Sequence, residues 1–155
     1  MSLTVILWLL LFAGLTLAAF KRPAYAVAGY MLSFFLCPPF WWWGGPIEGI
    51  RWNFYSGLVL LVIVLLSGPR KIGSLEGNSR RVFLIAVFIF ANATFVNYAL
   101  ASNLEISTEA YFLLAKFFLL CYLIYASIKS KFDMQIVMMS IILGAAYIGL
   151  SLIHI

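Results

Sequence analysis

Residues 82–101 read VFLIAVFIFANATFVNYALA, twenty positions without one charged side chain. A helix of that length rises about 30 Å, the thickness of the hydrocarbon layer of a bilayer. Before it lies GPRKIGSLEGNSRR, Gly68 to Arg81, the most polar segment of the chain, with four basic residues and Glu76. After it, Ser102 to Glu109 carries two acids and no base. The alternation of oily run and polar break continues in both directions. Upstream the runs lie near 3–20, 24–43 and 52–67, and downstream near 110–128 and 134–149. The expected fold is therefore all-α, a polytopic integral membrane bundle of about six transmembrane helices over residues 1–149, in which each helix satisfies its own backbone in lipid.

Composition supports that reading. The 155 residues (17.4 kDa) are 65% hydrophobic and 10% charged, with a mean hydropathy of +1.08. Soluble domains carry about 25% charged residues, so this chain could not coat a water-facing surface. Disorder needs low hydrophobicity and high charge, and is excluded as well. Residues 3–20 are flanked by Lys21 and Arg22 on the C-terminal side and by no base before them, the reverse of a signal peptide. The first run is read as a retained span. Pro23 suits the opening turn of the second helix, and Pro38-Pro39 should end or kink it.

Eight of the ten basic residues fall in the loops after runs one, three and five: Lys21, Arg22, Arg70, Lys71, Arg80, Arg81, Lys129 and Lys131. The loops after runs two and four hold only Arg51, so the N-terminus is expected on the extracytoplasmic side. That topology places Trp8, Trp41, Trp42, Trp43 and Trp52 near the outer interface, where amphipathic rings favour the headgroup level. The net charge of +5 is accordingly a matter of orientation, and no nucleic-acid partner is expected. Cys37 and Cys121 sit in or beside apolar runs and suggest neither a disulfide framework nor a metal pair.

Few residues could carry chemistry. Lys116 is the one charge within Ala110–Ile128, where insertion costs about 2.5–3.5 kcal/mol. It either binds an anionic group, such as the diphosphate of a lipid-linked substrate, or snorkels its ammonium to the outer headgroups. Glu48 and Arg51, three apart beside the tryptophans and glycines, form a surface pair or touch a substrate headgroup. Lys116 and Arg51 are the two candidate substrate-binding residues. Asn92, Thr94 and Asn97 give the fourth span a polar flank that suits hydrogen bonds to a neighbouring helix. No phosphate loop, HExxH, Cys/His spacing or GxSxG elbow is present, so no catalytic residue, metal or cofactor is assigned. The last six residues, LSLIHI, resemble the translation of a transposon-end sequencing adaptor. Residues 150–155, with His154, are on that reading a non-native tail, and the natural protein continues past Gly149.

The order of features resembles the N-terminal membrane region of O-antigen ligase-like proteins, ligases and polymerases of lipid-linked glycans. The likeness rests on Lys21-Arg22-Pro23 opening a second span with a Pro-rich end, and on Arg51-Trp52 leading into the third. It rests also on the basic loop before the fourth span and on LLAKFFLLCYLIYASIKSKFDMQIVMMSIILGAAYIG, Leu113 to Gly149. The resemblance implies a multi-pass protein of the bacterial inner membrane. Its partners would be the bilayer and a polyprenyl-diphosphate-linked glycan, and its catalytic arginines and histidine would lie on a large periplasmic loop beyond Gly149. A related branch was proposed to move bicarbonate, so a small-solute transporter stays open beside the ligase or polymerase, as does a non-catalytic membrane subunit.

Overall fold

The computed structural model describes residues 3–38, 45–68 and 77–153. Among them every regular element is helical: α1 Leu3–Ala19, α2 Ala24–Leu36, α3 Trp52–Ser67, α4 Gly77–Phe95, α5 Leu104–Ser127 and α6 Lys131–Ile153. A 3-10 turn at Gly45–Ile47 precedes α3, and a π-helical turn at Val96–Leu100 prolongs α4. Three helical segments are long and apolar enough to cross a membrane: Phe83–Leu100, Leu104–Ser127 and Lys131–Leu150. The other three, α1, α2 and α3, are apolar but shorter, with 17, 13 and 16 residues.

Each of the six expected runs holds one helix; α4 starts at Gly77, five residues before the expected Val82, and two further boundaries differ in an instructive way. The second stops at Leu36, because Cys37 turns into the left-handed region (φ 36°, ψ 60°) and Pro38 follows. Its N–H donates to the Ser33 carbonyl at 3.1 Å, closing the last turn, and Pro cannot continue a helix. Thirteen residues rise only about 20 Å, short of the hydrocarbon core. Residues 39–43, assigned above to the same span, lie outside the described residues. The fifth helix begins six residues before the expected Ala110. Asn103 supplies the start: its Oδ1 accepts from the Ile106 N–H at 3.3 Å, and Glu105 stands in the first turn, where helix dipoles favour an acid.

The chain divides into two units, residues 1–68 with 124–155, and residues 69–123. In the first unit α2 is the central helix, packed against α1, α3 and α6. Its buried face is built from Ala24, Ala26, Val27, Ala28, Gly29, Leu32 and Ser33. Small residues let backbones approach, which is how helices associate where lipid removes the hydrophobic drive between them. Gly144 of α6 is the tightest point, since a Cβ there would lie 2.7 Å from the Cβ of Phe35.

The two ends of this unit differ in chemistry. At one end Arg22, between α1 and α2, pairs with Asp133 of α6 at 3.6 Å and lies over the Phe132 ring at 4.9 Å. Asp133 is buried there and caps its own helix: its Oδ2 accepts from the Lys129 N–H at 3.0 Å, while Ser130 Oγ accepts from the Asp133 N–H at 3.1 Å. At the other end Val5, Trp8, Leu32, Ile47 and Trp52 form a core, with Trp8 and Phe12 edge-on to Trp52 at 5.7 and 5.2 Å. Trp8 and Trp52 are thus buried in protein, where the sequence suggested headgroup-facing rings. Because Arg22 meets Asp133 near both helix starts and Phe35 meets Gly144 a few turns on, α2 and α6 run parallel.

In the second unit α4, the π-helical turn and most of α5 carry a ladder of rings. Phe90 stacks on Tyr111 (5.7 Å) and Phe118 (5.0 Å), and Tyr98 meets Tyr111 edge-on at 6.1 Å. The Thr94 hydroxyl donates to the Phe90 carbonyl at 2.9 Å and stands 3.2 Å from the Tyr111 hydroxyl. That contact is the interhelical bond expected of Thr94. Most other side chains on these segments are exposed apolar groups, among them Leu84, Phe88, Phe95, Leu113 and Phe117.

Candidate functional site

The early stop of α2 opens a space at its C-terminal end. A cavity of about 510 Å³ lies there, lined by Ser33, Cys37 and Pro38 from α2 and its cap, and by Glu48 and the run Ile50 to Phe54. The lining follows from local rules. The left-handed Cys37 and the following Pro38 end α2, and the 3-10 turn at Gly45–Ile47 buries Ile47 in the Trp8–Trp52 core. Arg51 then caps α3 with its backbone: its carbonyl accepts from the Phe54 and Tyr55 N–H groups at 2.9 and 3.0 Å. No side chain caps this helix, and among the described residues the guanidinium makes no ion pair.

Electrostatically the cavity is bipolar. Arg51 and Glu48 both line it and both are exposed, and among the described residues no ion pair joins them. The surface-pair reading of these two is therefore not what the geometry displays. Around them the wall is apolar and aromatic, with Ile50, Trp52 and Phe54, while Ser33 Oγ is spent on the Gly29 carbonyl at 2.8 Å. Trp52 Nε1, at the base of the same cluster, is buried with no hydrogen-bond partner among the described residues, as is Trp8 Nε1. A space of this size, apolar with a few convergent polar groups, is what small-ligand sites look like.

Sequence and structure comparisons add nothing to this geometry. No family model, curated protein or solved structure matches the chain.

Arg51 belongs to the first unit and Lys116 to the second. Lys116 lies twelve residues into α5, is exposed, and makes no ion pair among the described residues. Of the polar residues of the fourth run, Asn92 is exposed and Thr94 meets Tyr111. Asn97 is 2% exposed, with both amide atoms unpartnered among the described residues. It sits in the π-helical turn, an arrangement that recurs at functional positions and that no propensity argument exposes. Ser33 and Cys37 were likewise not legible as site residues, since only the fold brings the end of α2 to Arg51. Among the described residues no three His, Cys, Asp or Glu side chains converge, and His154 lies outside them.

Proposed function

We propose that this chain is the membrane-embedded N-terminal region of a bacterial inner-membrane ligase or polymerase acting on polyprenyl-diphosphate-linked saccharide, and that the Arg51 cavity receives the carrier's diphosphate. The observation that carries the reading is the cavity itself. It combines a guanidinium that makes no ion pair among the described residues with an apolar, aromatic wall. A guanidinium matches phosphate oxygens in a bidentate fork, and an apolar rim suits the first isoprene units behind them. Glu48, on the same wall, offers acceptors to sugar hydroxyls. The chemical step itself belongs to groups beyond this membrane region.

The same reading takes all six helices as membrane-embedded, with the N-terminus outside. Three observations support it. The Arg22–Asp133 pair joins the connections before α2 and before α6 at one end, as the distribution of bases requires. The Trp8–Ile47–Trp52 core joins the connections expected outside at the other. Helix α6 runs about 7 Å past the level of Gly144 by Gly149, before the tail read as non-native, whereas α2 ends just beyond Phe35. On this reading the cavity falls within the membrane-embedded length of α6, where irregular backbone is tolerated because it lines a cavity.

The test is binding of a short-chain polyprenyl diphosphate to the chain in lipid nanodiscs, with the monophosphate as comparison. Hydrogen bonds to charged groups are worth about 1.5–3 kcal/mol, so Arg51→Glu should weaken diphosphate binding by about tenfold or more. Arg51→Lys should retain part of the affinity. Equal binding by wild type and Arg51→Glu would refute the assignment, and uptake of labelled bicarbonate by vesicles holding the chain would favour transport instead.

A further inference from the structure

Helix α5 carries a second feature that the Arg51 cavity does not use. At 100° per residue, Glu105, Glu109, Phe112 and Lys116 fall within about 60° of one another around the helix. All four are exposed, and Leu119, also exposed, prolongs the line toward the C-terminus. The face thus reads acid, acid, aromatic, base, set in a surface whose other exposed members include Leu113 and Phe117. Lys116 is the one charge between Ala110 and Ile128. Lipid around an ammonium at that position is costly, and intramembrane charges are retained where they face a partner or a polar cavity. Among the described residues Lys116 has no carboxylate partner.

We infer that the Glu105–Glu109–Lys116 face of α5 docks a membrane helix of another protein that presents a carboxylate level with Lys116. Charge complementarity selects this occupant over a second copy of the chain. Two copies inserted in the same direction would set Lys116 against Lys116 and Glu109 against Glu109. Two copies inserted oppositely would match Glu109 with Lys116, but would require half the molecules to reverse a strong bias of basic loops. Snorkelling is the competing fate of the ammonium. Its stem would have to pass Phe112 and Leu113, one turn nearer the helix start and both exposed. A facing carboxylate removes the cost without that detour.

The experiment places the full chain in liposomes with synthetic Leu/Ala transmembrane helices, one bearing a single Glu at the depth of Lys116 and one bearing none. Association is read by energy transfer. The Glu helix should bind about tenfold more tightly than the plain helix, the size of one intramembrane polar contact in model peptides. Lys116→Met should abolish that preference. Lys116→Glu should transfer it to a helix carrying Lys, which keeps the proposal testable if the Met variant inserts poorly. No preference by the wild type, or a preference that survives Lys116→Met, overturns the inference. Self-association of the chain that disappears with Lys116→Met overturns it in favour of a second copy.

Discussion

Gly144→Ala tests how closely α2 and α6 are packed. The added Cβ would stand 2.7 Å from Phe35 Cβ, 3.0 Å from its Cγ and 3.1 Å from its Cδ2. Carbon atoms in contact prefer about 3.5–4.0 Å, so the two helices must separate by about 1 Å along a parallel contact. Overpacking of that kind costs about 1–3 kcal/mol. The substitution also gains about 1 kcal/mol of helix propensity, leaving a net loss of about 0–2 kcal/mol. Gly149→Ala isolates the propensity effect, because nothing lies within 4 Å of its added Cβ. It should be neutral or stabilising. The arrangement of atoms makes a sharper demand. Phe35→Ala keeps the Cβ that clashes first, so it should not rescue Gly144→Ala, whereas Phe35→Gly should. Reversible unfolding in mixed micelles of mild detergent and dodecyl sulfate, followed by tryptophan fluorescence, gives the free energies for both double-mutant cycles. Equal stability of Gly144→Ala and Gly149→Ala would refute the packing argument, and rescue by Phe35→Ala would refute the geometry.

Other outcomes follow from the same structure. Asp133→Ala and Ser130→Ala each remove part of the α6 cap and should cost about 1–2 kcal/mol in the same unfolding assay. Arg22→Ala should cost less, about 0.2–1 kcal/mol, because its side chain is 51% exposed and screened. A reversed order would show that the ion pair, rather than the cap, holds this end together. Asn97→Leu should stabilise the chain by about 1–2 kcal/mol, since it replaces a buried amide without partners among the described residues by an apolar group of similar size. Destabilisation on that change would mean that the amide is satisfied in the bilayer.

The sequence exposed the helices better than their contacts. Trp52 to Ser67 emerged as one helix with the expected ends, because Arg51 and Gly68 bracket an uncharged, largely apolar run. Leu104 to Glu109 reads as loop because its polar residues suit water, yet the helix already starts at Leu104, where Asn103 caps it. Pro38 stands two residues past the end of α2, while the left-handed Cys37 that closes the helix had no glycine to announce it. Partners were the illegible part. Helices that are apolar on all sides do not reveal which face packs, so neither Phe35 against Gly144 nor Trp8 against Trp52 could be read from periodicity. Of the site, Arg51 and Glu48 were visible as charges beside a turn. Ser33 and Cys37 entered it only through the fold.

The arrangement of this chain across a bilayer is most directly tested by labelling with a membrane-impermeant thiol reagent in intact cells. In a background with Cys37 and Cys121 replaced by Ser, single cysteines at Glu48, beside the cavity, and at Lys129, beside the Arg22–Asp133 pair, report the two ends of the first unit. Position 48 should label from outside, and position 129 only after the membrane is permeabilised. Labelling of both from the same side would contradict the topology and, with it, an Arg51 cavity open to the outer leaflet.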